Sequence, residues 1–265
     1  MLLPQNKLRI LIVDDSISIR SVLRALLHND EFDVVGELAS GSKLITAVTK
    51  LKPHIICLDY NLPDTDGLSL LGQIHAKYPH VAVIMITGSN NQELEHAAAE
   101  AGTAGFIYKP FSQEQILDVL QKVAHAQRLL MIAARKHNPF ADKAYHATAV
   151  VADDSQTLRR LLMAILGHMG VRVVGEAYDG KQAIELVSAH TPDIVCLDFE
   201  MPVMDGLEAL KIIRDQNPLT KAVMITAAAS RETFNRAANT GARGYIIKPF
   251  HPDKVTQNIS RILAS

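Results

Sequence analysis

Short apolar runs that stop at polar residues alternate along this chain with longer segments of helical periodicity. An uninterrupted run of four to six apolar residues is typical of a strand that is buried on both faces, as in a parallel sheet. Strands that alternate with helices indicate an open parallel α/β sheet with right-handed crossovers. In the first half of the chain the pattern predicts strands at 9–13, 34–35, 55–58, 81–86 and 105–108.

The predicted helices show the spacing of a single buried face. Ser16 can cap the first of them, in which apolar residues recur at i, i+3, i+4, i+7 and i+8 from Ile19 to Leu27. A weaker helix ends before Pro53, and a third is predicted over 68–76. The Ala-rich segment 93–101 is expected to be a helix that Gly102 closes.

The second half of the chain repeats the first at a constant offset. Asp15 and Asp154 are 139 positions apart, and so are Asp59 and Asp198. Residues 8–125 map in this way onto residues 147–264 without a net insertion. A period of this length indicates a duplicated domain rather than a solenoid repeat.

We therefore predict a first domain at 1–135, a linker at 136–146 and a second domain at 147–265. The last helix of the first domain is expected to be longer than its counterpart by roughly two turns, at 3.6 residues each. Its extra apolar residues leave two alternatives open. They can cap their own domain, or they can pack on the second domain or on another chain.

Composition excludes several classes of function. With 27 basic and 28 acidic residues, the chain has no global charge that favours nucleic acid or a membrane surface. No apolar run approaches the roughly 18 residues that span a bilayer, and the N-terminus lacks the apolar core of a signal peptide. We expect a cytoplasmic protein with no membrane insertion and no direct nucleic-acid partner. Cys57 and Cys196 are interpreted as buried packing residues.

The chemistry is predicted at the carboxyl ends of the strands. Asp14 and Asp15 follow the first strand and Asp59 ends the third, and these strands are neighbours in the flavodoxin-like order 2-1-3-4-5. Three carboxylates so close together repel one another unless a cation lies among them, and Mg²⁺ suits such oxygen ligands. With the hydroxyl of Thr87 and the ammonium group of Lys109, the set indicates a phosphoryl-transfer site in which an Asp is the nucleophile.

Each of these residues alone has an ordinary structural explanation. An Asp after a strand is usually a turn former or helix cap, and a Thr at a strand end reflects β-propensity. The same residue types at the same spacing occur twice, however, and this makes a chance arrangement a poor explanation. The eleven histidines show no spacing typical of metal ligands.

The combined motif resembles the receiver domain of two-component response regulators, the CheY-like family. In the first copy it consists of Asp14, Asp15, Asp59, Pro63, Gly67, Thr87 and Lys109-Pro110. In the second copy it consists of Asp153, Asp154, Asp198, Pro202, Gly206, Thr226 and Lys248-Pro249. The likeness covers about nine tenths of the chain, and it implies two flavodoxin-like (βα)₅ domains in tandem.

The resemblance also implies a role for each residue. Asp59 and Asp198 are expected to accept the phosphoryl group, Thr87 and Thr226 to bond one phosphoryl oxygen, and Lys109 and Lys248 to pair with another. Magnesium would be held by the acceptors together with Asp14, Asp15, Asp153 and Asp154, and by the backbone carbonyls of Asn61 and Glu200. Phe106 and Tyr245 match the aromatic residue that switches position in the family.

The same resemblance implies partners. A sensor histidine kinase or a histidine phosphotransfer protein is expected to donate the phosphoryl group. Protein binding to a downstream target would be the read-out, and an oligomer could form through the face of helix four, strand five and helix five. No enzyme activity is expected beyond self-catalysed phosphoryl acceptance and slow autodephosphorylation.

Two other readings remain. The chain could be the regulatory half of a longer two-receiver protein, such as a diguanylate cyclase. A phosphatase of the haloacid dehalogenase type also uses an aspartyl nucleophile, but its Asp-x-Asp motif does not match Asp14-Asp15-Ser16.

The copies differ where reaction rates are expected to be tuned, with Asn61 against Glu200 and Ser89 against Ala228. A second carboxylate near a site that admits an anion would repel the phosphoryl group or compete for the metal. We therefore hypothesise that the two acceptors hold the phosphoryl group for different times.

Overall fold

The computed structural model describes residues 7–28, 30–88, 92–135, 145–227 and 230–265, without the side chains of 92, 132–135 and 231–233. The chain divides into two compact units between Gln127 and Arg128. Most of the predicted linker, and with it Ser89 and Ala228, lies outside the described residues. The predicted domain boundaries at 135 and 147 stay a prediction.

The first copy consists of five strands that alternate with five helices. They are β1 (Leu8–Val13), α1 (Ile17–Leu27), β2 (Phe32–Leu38), α2 (Leu44–Leu51), β3 (Ile55–Asp59), α3 (Gly67–Lys77), β4 (Ala82–Thr87), α4 (Gln92–Ala101), β5 (Gly105–Tyr108) and α5 (Gln113–Arg135).

The second copy has the same order of elements. They are β6 (Ala147–Ala152), α6 (Gln156–His168), β7 (Val171–Ala177), α7 (Gly180–His190), β8 (Ile194–Asp198), α8 (Gly206–Gln216), β9 (Lys221–Thr226), α9 (Arg231–Thr240), β10 (Gly244–Ile247) and α10 (Pro252–Ala264).

Each copy forms one five-stranded parallel sheet. The first sheet has the order β2-β1-β3-β4-β5, and the second has the equivalent order β7-β6-β8-β9-β10. All residues of β3 and β8 are buried, as expected for central strands with helices on both faces. This confirms the predicted fold class of two flavodoxin-like α/β domains.

The helix that follows the second strand differs between the copies because its N-terminus is capped differently. In the second copy Asp179 caps α7, and its carboxylate accepts from the backbone N–H of Gln182. Ser40 holds the equivalent position in the first copy, where α2 starts three positions later. There Asp64 reaches across from the loop after β3 and accepts from the N–H groups of Gly41 and Ser42.

Helix α5 is longer than α10, as predicted, but by more than expected. It has 23 residues and α10 has 13, and the two begin at equivalent positions. The ten additional residues make about three turns rather than two. Within the first unit, the buried side chain of Gln127 on α5 donates to the backbone carbonyls of His54 and His80, at 3.0 and 3.1 Å.

Two further sequence-based expectations concern membranes and thiols. Among the described residues, none of the helices combines the length and apolar character needed to cross a bilayer. Cys57 and Cys196 are free and fully buried, and burial raises the pKa of each thiol to about 12. Both thiols therefore stay protonated at neutral pH, which agrees with a packing role.

Candidate functional site

The predicted site residues of the first copy lie at one edge of the sheet. Asp14 and Asp15 directly follow β1, Asp59 ends β3, Thr87 ends β4 and Lys109 directly follows β5. Because all strands run in parallel, these carboxyl ends meet at the crevice where ligands bind in open α/β sheets. The second copy places Asp153, Asp154, Asp198, Thr226 and Lys248 in the same way.

A lysine joins two carboxylates in the first copy. The Nζ of Lys109 lies 2.8 Å from Oδ2 of Asp14 and 2.9 Å from Oδ1 of Asp59. The other oxygen of Asp14 accepts from the backbone N–H of Ser16 at 2.9 Å. Asp14, Asp59 and Thr87 are all buried, so these charges interact in surroundings that screen them weakly.

The second copy repeats this arrangement. The Nζ of Lys248 lies 2.9 Å from Oδ2 of Asp153 and 2.8 Å from Oδ2 of Asp198. Oδ1 of Asp153 accepts from the backbone N–H of Ser155 at 2.9 Å. Thr226 is buried beside them at the end of β9. The lysine bridge is therefore a property of both copies.

Two groups of acidic side chains have the spacing of a metal site. Asp14, Asp15 and Asp59 each offer a carboxylate oxygen, and these oxygens lie within 4.8 Å of one another. Asp153, Asp154 and Asp198 form the equivalent group. Oxygen ligands of this kind are those that Mg²⁺ and Ca²⁺ prefer, so both groups fit the magnesium predicted from the sequence.

The electrostatics of the first site disfavour three charged carboxylates. Burial raises the pKa of Asp59, and the neighbouring Asp14 and Asp15 raise it further, while Lys109 acts against them. Burial alone would lower the pKa of Lys109, but its bonds to Asp14 and Asp59 outweigh burial and raise it. The lysine therefore stays charged, and a second cation would relieve the remaining repulsion.

The second site shows the same effects more strongly. Burial, followed by the charge of Asp153, raises the pKa of Asp198 well above its usual range and also raises that of Asp154. The pKa of Lys248 is raised because the three nearby carboxylates outweigh the effect of burial. Both sites thus hold acidic groups that a bound cation would help to ionise.

The two acceptor carboxylates differ in their hydrogen bonds. In the second copy, Oδ1 of Asp198 accepts from the backbone N–H of Phe199 at 2.9 Å while Oδ2 accepts from Lys248. In the first copy, the side chain of Asp59 makes one hydrogen bond to the described part of the chain, in which Oδ1 accepts from Lys109. One oxygen of Asp59 is therefore less engaged than either oxygen of Asp198.

An arginine that was not predicted from the sequence supports each acidic pair. Nη1 of Arg20 on α1 donates to the backbone carbonyls of Asp14 and Asp15, at 2.6 and 3.0 Å. Its Nε lies 3.6 Å from Oε2 of Glu37 on β2. The arginine thus links the loop after β1 to the neighbouring edge strand.

The second copy contains the same link. Nη1 of Arg159 donates to the carbonyls of Asp153 and Asp154, at 2.7 and 3.3 Å, and its Nε lies 3.6 Å from Oε2 of Glu176. The sequence contained a signal for this link, namely the constant offset of the repeat. Glu37 and Glu176 are equivalent positions, and Arg20 and Arg159 are separated by the same offset.

The loop after each acceptor is held close to it by a glycine. Gly67 donates to the carbonyl of Tyr60 at 2.8 Å, and a Cβ at this position would overlap the carbonyl oxygen of Asp59. Asn61, whose carbonyl is predicted to bind the metal, is exposed, and its backbone forms an isolated antiparallel β-bridge with Asp66. Glu200 is exposed at the equivalent position. Their roles as metal ligands stay a prediction.

The two predicted switch residues are partly buried at the sheet edge. Phe106 packs on the core of the first unit and stacks with Tyr108 at a centroid distance of 6.0 Å. Tyr245 makes an edge-to-face contact with Phe234, and its hydroxyl donates to the carbonyl of Phe234 at 2.6 Å. The hydroxyl of Tyr245 is therefore hydrogen-bonded to α9 rather than pointing into solvent.

Comparison with known proteins gives the family. The profile of the response regulator receiver domain matches residues 10–121 and again residues 149–260. Chemotaxis protein CheY of Listeria monocytogenes is 36% identical over 117 residues, which are 44% of this chain and 98% of that protein. CheY of Bacillus subtilis is 36% identical over 114 residues, or 43% of this chain and 95% of that protein.

A solved structure is also similar to part of this chain. A two-component response regulator of the LuxR family from Aurantimonas sp. SI85-9A1 is 31% identical and covers 44% of this chain and 85% of its own, with a TM-score of 0.43. The two profile matches together span most of the chain, one for each (βα)₅ unit. The chain belongs to the response regulator receiver domain family and carries two receiver domains in tandem.

Proposed function

We propose that this protein is a phosphorelay response regulator whose Asp59 and Asp198 accept a phosphoryl group. A histidine kinase or a histidine phosphotransfer protein is the donor. The observation that carries the proposal is the lysine bridge. In each copy one ammonium group lies within 2.9 Å of both the acceptor carboxylate and a carboxylate of the acidic pair. A nucleophile and a fixed positive charge at one point are what phosphoryl transfer requires.

Magnesium is the proposed cofactor of both sites. In the first copy Asp14, Asp15 and Asp59 would hold it, together with the carbonyl of Asn61. When bound, Mg²⁺ neutralises charge on the oxygens of the transferring group. Arg20 supports this arrangement because it fixes the backbone carbonyls of Asp14 and Asp15.

The proposed reaction is an in-line displacement at phosphorus. An oxygen of Asp59 attacks the phosphoryl group of a phosphohistidine in the donor protein. An O–P bond forms while the P–N bond breaks, and the electron pair of that bond stays on the imidazole nitrogen of the donor. Lys109 pairs with one phosphoryl oxygen and Thr87 bonds another. Asp198, Lys248 and Thr226 act in the same way.

The read-out is a shift between two conformations of the face formed by α4, β5 and α5, or by α9, β10 and α10. The new phosphoryl group adds charge and hydrogen-bond acceptors that draw the Thr and the Lys toward it. A pre-existing equilibrium then shifts. Phe106 and Tyr245 turn with it, and a downstream protein binds the altered face. We propose no turnover of a separate substrate.

Phosphotransfer from candidate kinases to the wild type, Asp59→Ala and Asp198→Ala tests the proposal. We expect phosphoryl transfer to the wild type, and we expect this transfer to require Mg²⁺. Each substitution should abolish transfer at the substituted site. Transfer that persists at full stoichiometry in both variants would overturn the assignment of the acceptors.

A further inference from the structure

We propose that the side chain of His54 makes the first receiver sensitive to mild acid, and that the second receiver lacks this sensitivity because Asp193 takes the same place. When His54 takes up a proton, a contact that holds the first sheet to α5 is released. This device is independent of the acceptor chemistry proposed above. Its test needs no phosphoryl donor, so the two proposals fail separately.

The contact lies where the strands of the first sheet begin, at the end of the sheet away from Asp59. His54 directly precedes β3. Its Nδ1 accepts from the backbone N–H of Arg9 in β1 at 3.0 Å, and its own backbone N–H donates to the carbonyl of Arg9 at 2.8 Å. The carbonyl of His54 accepts from the backbone N–H of Ala82 in β4 and from the side-chain amide of Gln127 in α5, both at 3.0 Å. One residue therefore joins β1, β3, β4 and α5.

The hydrogen bond to Nδ1 exists only while the imidazole of His54 is neutral. A protonated imidazole carries an N–H group at each ring nitrogen and accepts at neither. The backbone N–H of Arg9 and a protonated Nδ1 would then face each other as two donors. On protonation, β1 therefore loses its bond to this side chain.

The surroundings of the imidazole oppose a positive charge on it. The guanidinium group of Arg9 donates to the carbonyl of Leu51 at 3.1 and 2.7 Å, which holds it beside the loop before β3. Within the described part of the chain, Arg9 and His80 are the charged or titratable groups that act on His54. Asp33 lies 4.0 Å from Nη1 of Arg9, but it is half exposed and offsets little of this charge.

These surroundings set the direction in which acid acts. Burial, followed by the charges of Arg9 and His80, lowers the pKa of His54. The contact from α5 is the neutral amide of Gln127 and adds no charge. A histidine whose folded pKa lies below the unfolded value of about 6.5 stabilises the folded state above that pH. That stability is lost as the pH falls through the folded pKa, so mild acid weakens the first receiver at this contact.

The second receiver makes the equivalent contact with a carboxylate. Asp193 is the counterpart of His54, and its Oδ2 accepts from the backbone N–H and the hydroxyl of Thr148, at 2.7 and 2.8 Å. These bonds from the hydroxyl and the backbone lower the pKa of Asp193. The stability that it supplies is therefore retained until the pH falls below the usual value for Asp of about 3.9. Thr148 stands where the first receiver has Arg9, so that cation is not repeated.

The two receivers therefore respond differently between pH 7 and pH 5. In the first, opening of the contact displaces the carbonyl of His54 and weakens the attachment of Gln127, and with it α5. In the second, the bonds between Asp193 and Thr148 stay intact. Because α5 belongs to the proposed read-out face, acid changes that face in one receiver and leaves its counterpart unchanged.

Hydrogen exchange of the full chain, followed by NMR at pH 7 and pH 5, tests the proposal. Protection is expressed relative to an unstructured chain at the same pH. On acidification we expect the protection of the Arg9 amide to fall several-fold and that of the Thr148 amide to stay constant. His54→Asp should abolish the fall at Arg9, and Asp193→His should introduce one at Thr148. His28→Asn removes an exposed histidine outside the contact, and this control should leave the fall at Arg9 unchanged.

The titration of His54 in the wild type is a second measurement, which does not depend on any substitution. The ring nitrogen shifts should show an unprotonated Nδ1 at pH 7 and a midpoint below about 6.5. A midpoint at or above that value would overturn the proposal. So would equal losses of protection at Arg9 and Thr148, or a loss at Arg9 that persists in His54→Asp.

Discussion

At the scale of single residues, the site is a balance between buried carboxylates and one lysine. Lys109 offsets part of the repulsion among Asp14, Asp15 and Asp59, yet the pKa of Asp59 is still raised, chiefly by burial. For a carboxyl group whose pKa is higher in the folded protein than in the unfolded chain, folding takes up protons. Its contribution to stability is therefore largest below the unfolded pKa of about 3.9. It declines as the pH rises through the folded pKa.

The first prediction is that the stabilisation of the folded protein by Mg²⁺ depends on pH. Because the ion replaces protons among the carboxylates, we expect Mg²⁺ to raise the thermal midpoint more at pH 8 than at pH 5. An ion concentration of 100 times the dissociation constant would stabilise the folded state by about 2.7 kcal/mol. Calorimetric scans at both pH values measure this difference. An equal shift at both pH values would argue against ionised carboxylates as the ligands.

The second prediction concerns Arg20, which holds the carbonyls of Asp14 and Asp15. We expect Arg20→Met to weaken magnesium binding at the first site several-fold, because the loss of hydrogen bonds worth about 1 kcal/mol frees that loop. Titration calorimetry in an Asp154→Ala background isolates the first site.

Arg24→Met is the matched control for this variant. Arg24 lies on the same helix and pairs with the same Glu37, but its guanidinium makes no bond to the carbonyls of the acidic pair. We expect magnesium affinity close to the wild type in this variant. If the two substitutions weaken binding equally, the arginine acts through Glu37 alone and not through the loop.

The third prediction concerns the lifetimes of the two phosphoryl groups. Glu200 stands where the first copy has Asn61, and both oxygens of Asp198 already accept hydrogen bonds. Because these surroundings differ, we expect the rates at which Asp59 and Asp198 lose the phosphoryl group to differ several-fold. A difference of about 1.4 kcal/mol in the barrier would make the rates differ tenfold. Retained label in Asp59→Ala and Asp198→Ala measures the two rates.

Glu200→Asn should move the rate at Asp198 toward the rate at Asp59. Equal rates in the unmodified sites, or no change on this substitution, would remove the role assigned to that position.

Sequence reasoning at this scale found the acidic residues, the threonines and the lysines because each lies at a strand end in a fixed order. It missed Arg20 and Arg159, whose partners are backbone carbonyls and a glutamate on another strand. Such contacts depend on how α1 packs beside β2. The unequal bonding of Asp59 and Asp198 was also hidden, since it depends on side-chain orientation.

At the scale of elements, the strands with uninterrupted apolar runs, such as β3 and β5, were predicted more accurately than β2. β3 was predicted to within one residue because both of its faces are buried and its run is wholly apolar. β2 was predicted at 34–35 but spans Phe32–Leu38. It is an edge strand with one neighbour, so polar residues such as Asp33 and Glu37 interrupt its apolar run without ending it.

The fourth prediction tests how α5 is attached to its sheet. Gln127 is buried, and its amide donates to the carbonyls of His54 and His80. We expect Gln127→Met to lower the free energy of unfolding of the first unit by about 1 to 3 kcal/mol, because two hydrogen bonds worth about 0.5 to 1.5 kcal/mol each are lost. Chemical denaturation measures the change.

Gln121→Met serves as the comparison, since Gln121 is exposed on the same helix. Its stability should stay within about 0.5 kcal/mol of the wild type. Equal losses in the two variants would show that the bonds of Gln127 do not anchor α5.

At the scale of the whole molecule, the duplication was the most informative feature of the sequence. Strands in the two copies begin and end at equivalent positions, and the profile of the receiver domain matches each copy separately. What the repeat does not preserve is surface charge. Residues 95–108 and 113–125, around β5, carry four carboxylates against one lysine, whereas residues 234–247 and 252–264, around β10, carry four cationic side chains against one carboxylate. Such differences are visible only once the topology shows which residues share an edge.

The most direct test of the central claim is the number of acyl phosphates that one chain can carry. The full chain is incubated with Mg²⁺ and a small-molecule phosphoryl donor, and intact mass and peptide mapping then locate the label. We expect up to two phosphoryl groups on the wild type and at most one on each of the single variants Asp59→Ala and Asp198→Ala. The double variant should carry none. Label that remains on the double variant, or a wild type that takes up none while its fold is intact, would contradict the account.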